Sequence, residues 1–266
     1  MRVTESDLAL VAQLADAAGA AIRPYFRAEH GLELKPDASP VTAADRAAEQ
    51  AVRRILDAER SGDGVIGEEY GEKPGVTGRQ WVIDPIDGTR AFIAGRPIFG
   101  TLIALIEGGW PLIGVIDQPV TRERWIGAIG RPTVFNGAPA QTRTCPSLEG
   151  ASLATTSPHL FDPHQAEHYM ALIEAVAAGN LRQGPIYGGD CYNYGCLASG
   201  HIDIVIEAGL KLHDFAALIP IVEGAGGRMC DWAGDPLTAG SDGEVLAAGD
   251  PARIDDILEA LACHGH

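Results

Sequence analysis

The sequence predicts an α/β protein with an α+β N-terminal half and a layered α/β C-terminal half. Apolar residues recur at helical spacing near the start of the chain, and short apolar runs bounded by Gly, Pro and Asp follow. In the second half, strand-like and helix-like stretches alternate, which is typical of a three-layer α/β arrangement. A boundary in the stretch 143–150 divides the chain into segments 1–146 and 147–266, which we expect to pack as one unit.

Two helices are expected before the first long strands. The buried face of the first helix is marked by apolar residues at helical spacing, namely Leu8, Val11, Ala15, Ala18 and Ile22. Thr4 is its expected N-cap. The second helix is expected over about 43–60, where Thr42 and Asp45 would form a capping box.

Short apolar runs then predict a meander, followed by alternating strands and helices. Strands are expected at 81–83, 100–106, 112–116 and 124–128. Gly108 and Gly109 are a turn signal between two of them, so these strands should be antiparallel. In the second half, strands are expected at 152–155, 202–206, 228–231 and 245–248, and helices at 165–178, 191–198, 214–224 and 251–261. Pro220 predicts a kink or a break in its helix.

The composition excludes several classes of partner. The formal net charge is −16, and such a surface repels nucleic-acid backbones and anionic lipid headgroups. No apolar run reaches about 18 residues and the N-terminus lacks the pattern of a signal peptide, so a cytoplasmic protein without a membrane partner is expected. The five cysteines include no CxxC pair, which favours free thiols in a reducing compartment.

Four carboxylate-bearing segments are candidates for chemistry. The run 84–89, Asp-Pro-Ile-Asp-Gly-Thr, places two carboxylates three residues apart at a strand end, with the Ile86 carbonyl between them. Such a pair repels unless a proton or cation intervenes, and oxygen-only ligands favour a hard cation such as Mg²⁺. Glu68, Asp214 and Asp45 are the other candidates. Each also has a purely structural interpretation, as a solvated loop, a helix cap and a capping-box residue respectively.

The chain resembles the inositol-monophosphatase superfamily of Mg²⁺-dependent phosphatases. The resemblance rests on the run 81–89, Trp-Val-Ile-Asp-Pro-Ile-Asp-Gly-Thr, and on 213–214, His-Asp, followed by the Gly-rich run 223–227. Segments 67–69 and 41–45 also match in order and spacing. The resemblance implies a layered αβαβα sandwich of the inositol-monophosphatase and sugar-phosphatase type, hydrolysis of phosphate monoesters, and a homodimer.

The resemblance also implies a role for each matching residue. Ligands for two to three Mg²⁺ ions are expected at Glu68, Asp84, the Ile86 carbonyl, Asp87 and Asp214. Asp84 would bridge two ions, and a third, weaker ion would lie beside Glu68. Catalytic roles are expected for Glu68 and for the pair that orients and helps deprotonate the attacking water, Asp45 and Thr89. The backbone amides of Gly88 and Thr89 would hold phosphate oxygens, and in-line attack without a phosphoenzyme is expected.

Within the superfamily, the chain is most similar to the histidinol-phosphate phosphatases of histidine biosynthesis. The matching stretches are 87–97, 114–119, 189–195 and 203–211. The position of Asp190 is small and apolar in the inositol branch. We therefore expect an anionic substrate pocket, suited to an amine or imidazolium and formed by Asp190, Glu207 and Asp214. Tyr192 or Tyr194 could stack on a ring of the substrate. Asp190 also has a structural interpretation, as the N-cap of the helix at 191–198.

Three functions remain open from the sequence. The leading hypothesis is hydrolysis of histidinol phosphate to histidinol and phosphate. The second is hydrolysis of inositol 1-phosphate or of a wider set of sugar and nucleotide phosphates, although acidic Asp190 argues against polyanionic substrates. The third is an inactive metal-binding scaffold, which the intact set of expected ligands disfavours. Leu212 and His213 replace the Pro and Tyr usual in the histidinol branch, and Asn193 replaces a small residue. His213 could contact one of the metal-binding residues, contact the substrate, or only pack against neighbouring side chains.

Overall fold

The computed structural model describes residues 2–29, 31–34, 40–177 and 184–262. The helices are α1 Glu5–Ile22, α2 Ala43–Glu59, α3 Thr89–Ile93, α4 Pro163–Ala177, α5 Asp190–Ala198, α6 Leu212–Phe215, α7 Leu218–Gly224 and α8 Ile254–Ala262. The strands are β1 Glu33–Leu34, β2 Pro40–Val41, β3 Gly64–Gly67, β4 Gly71–Lys73, β5 Arg79–Asp87, β6 Gly100–Glu107, β7 Trp110–Gln118, β8 Glu123–Ala128, β9 Arg131–Phe135, β10 Ala138–Pro139, β11 Leu153–Thr155, β12 Ile186–Tyr187, β13 Ile204–Glu207, β14 Arg228–Cys230 and β15 Val245–Ala248.

Two large sheets use different parts of the chain. The first has the order β10-β9-β8-β7-β6-β5-β3-β4 and is antiparallel except where β3 runs parallel to β5. The second has the order β12-β11-β13-β15-β14, with β11 parallel to both of its neighbours. The predicted meander is confirmed, since β6 and β7 form a hairpin around Gly108 and Gly109. The division of the chain into 1–146 and 147–266 stays a prediction.

Alternation along the strands sends side chains into separate hydrophobic layers. Trp81 and Ile83 of β5 pack with α1 and α2, whereas Val82 faces a cluster that includes residues of α5, α6 and α7. In the second sheet, Val205 faces that same central helical layer, and Ile204 faces α4 and α8. The layers therefore follow the order helix, sheet, helix, sheet, helix, and the predicted αβαβα sandwich is confirmed.

Two glycines allow the central helical layer to lie directly on the first sheet. A Cβ atom at Gly114 of β7 would clash with the backbone of Ala217, and one at Gly127 of β8 would clash with Pro220. Because neither glycine has a side chain, the backbone around α7 approaches the sheet closely. This packing helps to place α6, and hence Asp214, near the end of β5.

The predicted caps and the proline break are confirmed, with shifted boundaries. Thr4 and Thr42 form capping boxes at the starts of α1 and α2. The helix expected at 214–224 is divided into α6 and α7 at Ala216 and Ala217. The physical reason is that the Pro220 ring crowds the carbonyl four residues earlier and Pro220 has no N–H to donate. The last helix begins with a 3₁₀ turn, Pro251–Arg253, before α8.

Several other predictions can be placed on the described residues. β5 is longer than the predicted strand 81–83, and two short strands were not predicted, β3 beside β5 and β4 at the sheet edge beyond β3. Four cysteines are free thiols, as expected: Cys145, Cys191, Cys196 and Cys230. The fifth cysteine, at 263, and residue 178, the predicted end of the helix 165–178, lie outside the described part. Within the described ranges, no helix combines the length and apolar character needed to cross a bilayer.

Candidate active site

An irregularity at the end of β5 gives the two carboxylates of the run 84–89 a common direction. The register between β5 and β6 shifts between Asp84 and Asp87. The Ile86 N–H donates to Asp84 Oδ1 at 3.0 Å, and Thr101 Oγ1 donates to the Pro85 carbonyl at 2.8 Å. Such bulges reorient side chains next to functional sites. Both carboxylates are thereby brought to the same side of the sheet end.

Carboxylates from distant parts of the chain meet the β5 pair there. Oxygen atoms of Asp84, Asp87 and Asp214 all lie within 4.8 Å of one another. Asp84 also belongs to a second group, with Glu68 and His213, in which the ligand atoms lie within the same distance. β3 runs parallel to β5 and ends just before Glu68, while α6 supplies Asp214. Asp84 is therefore shared by two adjacent groups.

The electrostatics of this cluster favour a bound cation. Burial raises the pKa of Asp84 well above its ordinary value, and the carboxylates of Glu68, Asp87 and Asp214 raise it further. Burial and the carboxylates of Asp190 and Asp214 raise the pKa of Asp87 in the same way. Several ionised carboxylates at this separation are costly unless a positive charge offsets them. The donor set, rich in carboxylate oxygen, fits a hard divalent cation.

Asp45 is buried at the start of α2 with one oxygen available. Its Oδ2 accepts hydrogen bonds from the Thr42 N–H at 2.8 Å and the Thr42 hydroxyl at 2.6 Å. Within the described residues no donor reaches the buried Oδ1. Burial raises the pKa of Asp45, the Thr42 contacts oppose the shift, and the charge of Glu68 adds to it. The capping role and an additional polar role are thus compatible, because they use different oxygens.

Thr89 and Gly88 lie at the start of α3, beside the carboxylates. The Thr89 hydroxyl donates to the Ile86 carbonyl at 3.0 Å, so it contacts an oxygen that was predicted to bind metal. Gly88 caps α3 with φ of 85°, a conformation that favours glycine. A Cβ at Gly88 would lie 2.8 Å from Asp190 Oδ2. Glycine is therefore needed at this turn for two reasons: the positive φ, and the space that the Asp190 carboxylate occupies.

Asp190 lies directly above this turn in a strained backbone conformation. Its φ is 42°, and it follows two glycines that also have positive φ values, Gly188 and Gly189. Asp190 is the first residue of α5, and Gly189 occupies the N-cap position, so the N-cap interpretation of Asp190 is wrong. The next residue, Cys191, donates its N–H to Asp87 Oδ2 at 2.6 Å. Strain of this kind is common at functional sites.

Two cavities lie next to the carboxylate cluster; Asp190 lines both, and Glu207 lines the smaller one. A cavity of about 50 Å³ is lined by Asp87, Asp190, Glu207 and Asp214 among others, and Tyr194 also lines it. A larger cavity of about 370 Å³ is bordered by Glu68, Gly88, Thr89 and Asp190. Tyr192, the other tyrosine predicted to stack on the substrate, instead donates a hydrogen bond from its hydroxyl to Glu123 and packs against Trp125.

Glu207 and Asp190, which both line the small cavity, have raised pKa values. Burial raises the pKa of Glu207 to about 7, against hydrogen bonds from the Thr156 N–H and hydroxyl, each 2.8 Å long. Burial raises the pKa of Asp190 to about 6; Asp214 adds to the shift, and Arg90 and Arg96 oppose it. A raised pKa means that the ionised carboxylate is not fully stabilised by its surroundings. A cationic group in the cavity would supply the counter-charge that Glu207 and Asp190 lack.

Sequence reasoning missed several residues that support or line the site. Arg90 and Arg96 line the larger cavity with Thr156 and place positive charge at the pocket rim. Glu49 is fully buried and accepts backbone hydrogen bonds from the loop beyond Glu68. Glu49 follows Asp45 by four residues, so a carboxylate pair on one helical face was the available signal. No local pattern distinguished the arginines. His213 lies beside the cluster, with Nε2 3.5 Å from Asp214 Oδ1.

Comparison with known proteins places this fold and site in a family. The chain is 37% identical over 266 residues to a histidinol-phosphatase of Mycobacterium tuberculosis, covering 97% of the chain and 99% of that protein. It is 46% identical over 260 residues to the bifunctional phosphatase IMPL2 of Arabidopsis thaliana, covering 94% of the chain and 73% of that protein. A structure of an inositol monophosphatase from Zymomonas mobilis is 52% identical, with a TM-score of 0.88 and coverage of 98% and 99%.

The family profile extends over almost the whole sequence. The profile described as the inositol monophosphatase family matches residues 4–266, a range that includes every carboxylate of the site. Members act on small phosphate monoesters and use divalent metal ions, in agreement with the carboxylate groups around Asp84. The chain is a member of the inositol monophosphatase family of phosphoric monoester hydrolases.

Proposed function

We propose that this protein is a Mg²⁺-dependent histidinol-phosphate phosphatase. The observation that carries the proposal is the position of Asp190, which lies against Gly88 and lines both cavities next to the carboxylate cluster. With buried Glu207 it forms an acidic wall, which suits the ammonium or imidazolium of histidinol phosphate. The 37% identity to a histidinol-phosphatase over the whole chain supports the same substrate.

The proposed metal centre uses the residues predicted from the sequence. Glu68, Asp84, the Ile86 carbonyl, Asp87 and Asp214 would hold two to three Mg²⁺ ions. When bound, the ions would lower the pKa of a coordinated water and offset the charge that develops on the phosphate and the leaving oxygen.

The remaining residues would position the reactants. Asp45 Oδ1, which no donor among the described residues reaches, would accept a proton from the attacking water, and the Thr89 hydroxyl would help to orient that water. The amides of Gly88 and Thr89 would hold phosphate oxygens. Asp190, Glu207 and Asp214 would hold the alcohol part of the substrate, so that attack on phosphorus is in line and releases the alcohol without a covalent intermediate.

A second candidate is an inositol-1-phosphate phosphatase. Its support is the 52% identity to the inositol monophosphatase structure from Zymomonas mobilis. Arg90 and Arg96 at the pocket rim also allow a more anionic substrate than Asp190 alone would favour. For either substrate we propose a homodimer acting in the cytoplasm, as the family resemblance implies.

Phosphate release from a panel of substrates tests the assignment. The panel contains histidinol phosphate, inositol 1-phosphate, fructose 1,6-bisphosphate and adenosine 3′,5′-bisphosphate, each at millimolar Mg²⁺. We expect histidinol phosphate to have the highest kcat/KM, and Asp190→Asn to reduce that value by at least about tenfold through KM. Asp235→Asn is the control, because it makes the same chemical change at an exposed carboxylate. Preference for inositol 1-phosphate with a harmless Asp190→Asn would establish the second candidate instead.

A further inference from the structure

Two histidines outside the active site face each other on α4. His164 and His168 are four residues apart, and their rings have centroids 4.3 Å apart at an interplanar angle of 74°. Their Nε2 atoms are 3.1 Å apart. His164 is exposed and His168 is half-buried. Histidines at this spacing share one face of a helix, and zinc enzymes use the same spacing to bind their metal.

The other ring nitrogen of His168 is already occupied. Its Nδ1 contacts the backbone carbonyl of Leu261 at the end of α8. A carbonyl oxygen can only accept, so Nδ1 carries the proton, and in the neutral ring Nε2 then presents its lone pair toward His164. This arrangement, with one ring nitrogen donating to a backbone carbonyl and the other free, is the one that metal-binding histidines usually adopt.

The separation of the two Nε2 atoms matches a shared metal ion. Two imidazole nitrogens bound at about 2.0–2.1 Å lie about 3.3–3.4 Å apart on a tetrahedral ion and about 2.9 Å apart at a right angle. The observed 3.1 Å lies between these values. The side chains could therefore chelate an ion with little movement, and the net charge of −16 favours the approach of cations.

We propose that His164 and His168 form a chelating site for a borderline divalent transition-metal ion, such as Zn²⁺, Ni²⁺ or Cu²⁺. Imidazole nitrogen suits these ions better than Mg²⁺, so the site differs in chemistry from the carboxylate centre. Among the described residues, no third His, Cys, Asp or Glu completes a set around the pair. Water would fill the remaining positions of a bound ion. A bound ion would also strengthen the link between α4 and α8 that His168 makes.

Calorimetric titration of the full-length, tag-free protein with Ni²⁺ tests the proposal. His164→Gln is the main variant, because it removes one ligand from an exposed position and leaves the His168 contact to Leu261 intact. His159→Gln, at another exposed histidine, is the matched control. We expect the wild type and His159→Gln to bind one more equivalent of Ni²⁺ than His164→Gln, and His168→Gln to lose the same equivalent.

A spectroscopic measurement locates the ion independently. One equivalent of Cu²⁺ should give an electron paramagnetic resonance spectrum with coupling to nitrogen that is reduced in His164→Gln. Phosphatase activity with Mg²⁺ should be the same in the wild type and His164→Gln. Identical Ni²⁺ titrations of the wild type and His164→Gln would overturn the proposal and leave the pair as a hydrogen bond between imidazoles. Equal loss in His159→Gln would also overturn it.

Discussion

Glu49 Oε2 accepts a hydrogen bond of 2.8 Å from the backbone N–H of Glu69, which joins α2 to the loop that carries Glu68. The other oxygen, Oε1, accepts from the Tyr70 N–H at 3.2 Å and from Arg53 Nε at 2.7 Å. A Cβ at Gly67 would occupy the space of this carboxylate. Glu49 therefore determines the position of the loop that follows β3, although it is not among the proposed metal ligands.

Glu49→Gln is expected to weaken Mg²⁺ binding about 10-fold to 100-fold. The amide keeps the volume of the side chain but loses the charge and one acceptor, so the loop with Glu68 is held less firmly. Calorimetric titration with Mg²⁺ should show the weaker affinity, and kcat at saturating Mg²⁺ should change much less. Glu59→Gln, near the end of the same helix, is the control. An unchanged affinity in Glu49→Gln would remove the positioning role.

Asp84→Asn is expected to lower turnover by several orders of magnitude, because Asp84 belongs to both carboxylate groups. Burial and neighbouring carboxylates penalise its charge, so the same variant should unfold at a higher temperature than the wild type in the absence of metal. The rise in unfolding temperature that Mg²⁺ causes in the wild type should disappear. Activity equal to that of the wild type would contradict the assignment of Asp84.

Gly88→Ala is expected to impair catalysis as well as stability. The φ of 85° at this position costs an alanine roughly 1–2 kcal/mol, and the added Cβ would lie 2.8 Å from Asp190 Oδ2. Gly109 has a similar φ of 83° with no atom within 4 Å of the added Cβ. Gly109→Ala should therefore lose comparable stability in thermal unfolding and keep its kcat/KM. Equal kcat/KM in the two variants would show that the contact with Asp190 is unimportant.

The ion pairs of Asp7 predict a loss of stability in acid. Burial alone would raise the pKa of Asp7, but hydrogen bonds from Arg79 and Thr4 lower it to about 2. The pKa is lower in the folded state than the ordinary value of 3.8, so the ionised group stabilises the fold above about pH 4. That contribution, about 1–2 kcal/mol, is lost as the pH falls from about 4 to 2.

Asp7→Asn should therefore destabilise the protein at pH 7, and the difference from the wild type should shrink below pH 4. Urea unfolding at a series of pH values measures this difference. Glu5→Gln is the control, because Glu5 is exposed and its one ion pair in the described part of the chain is with half-buried Arg131. A difference between the wild type and Asp7→Asn that is independent of pH would show that packing, rather than charge, is responsible.

Much of the fold followed from local signals in the sequence. Thr4 and Thr42 cap their helices because their hydroxyl groups and the acidic residues three positions later act within one turn. Gly108 and Gly109 turn the β6–β7 hairpin for an equally local reason. The short strands β3 and β4 were missed because three or four residues leave too little pattern, and the pairing of β3 with β5 and of β4 with β3 depends on the sheet.

The site was predictable where residue type sufficed. Asp84 and Asp87 could be chosen because oxygen ligands and close like charges indicate a cation, whereas Glu68 and Asp214 entered the predicted ligand set through the family resemblance. The arginines at 90 and 96 could not, because an arginine on a short helix or loop carries no sign of the cavity it borders. Asp190 was chosen for its charge, whereas its strained backbone and its contact with Gly88 appear only in the folded chain.

The sequence by itself determined the chemistry available in the run 84–89: two carboxylates, a carbonyl, a glycine turn and a hydroxyl within six consecutive residues. Their spacing along the chain limits where they can lie, so local geometry was enough. The tertiary structure decided which distant groups join them. Cys191 donates to Asp87 across 104 residues of sequence because the central helical layer packs between the two sheets. Convergence of this kind depends on how whole layers pack, which no local pattern records.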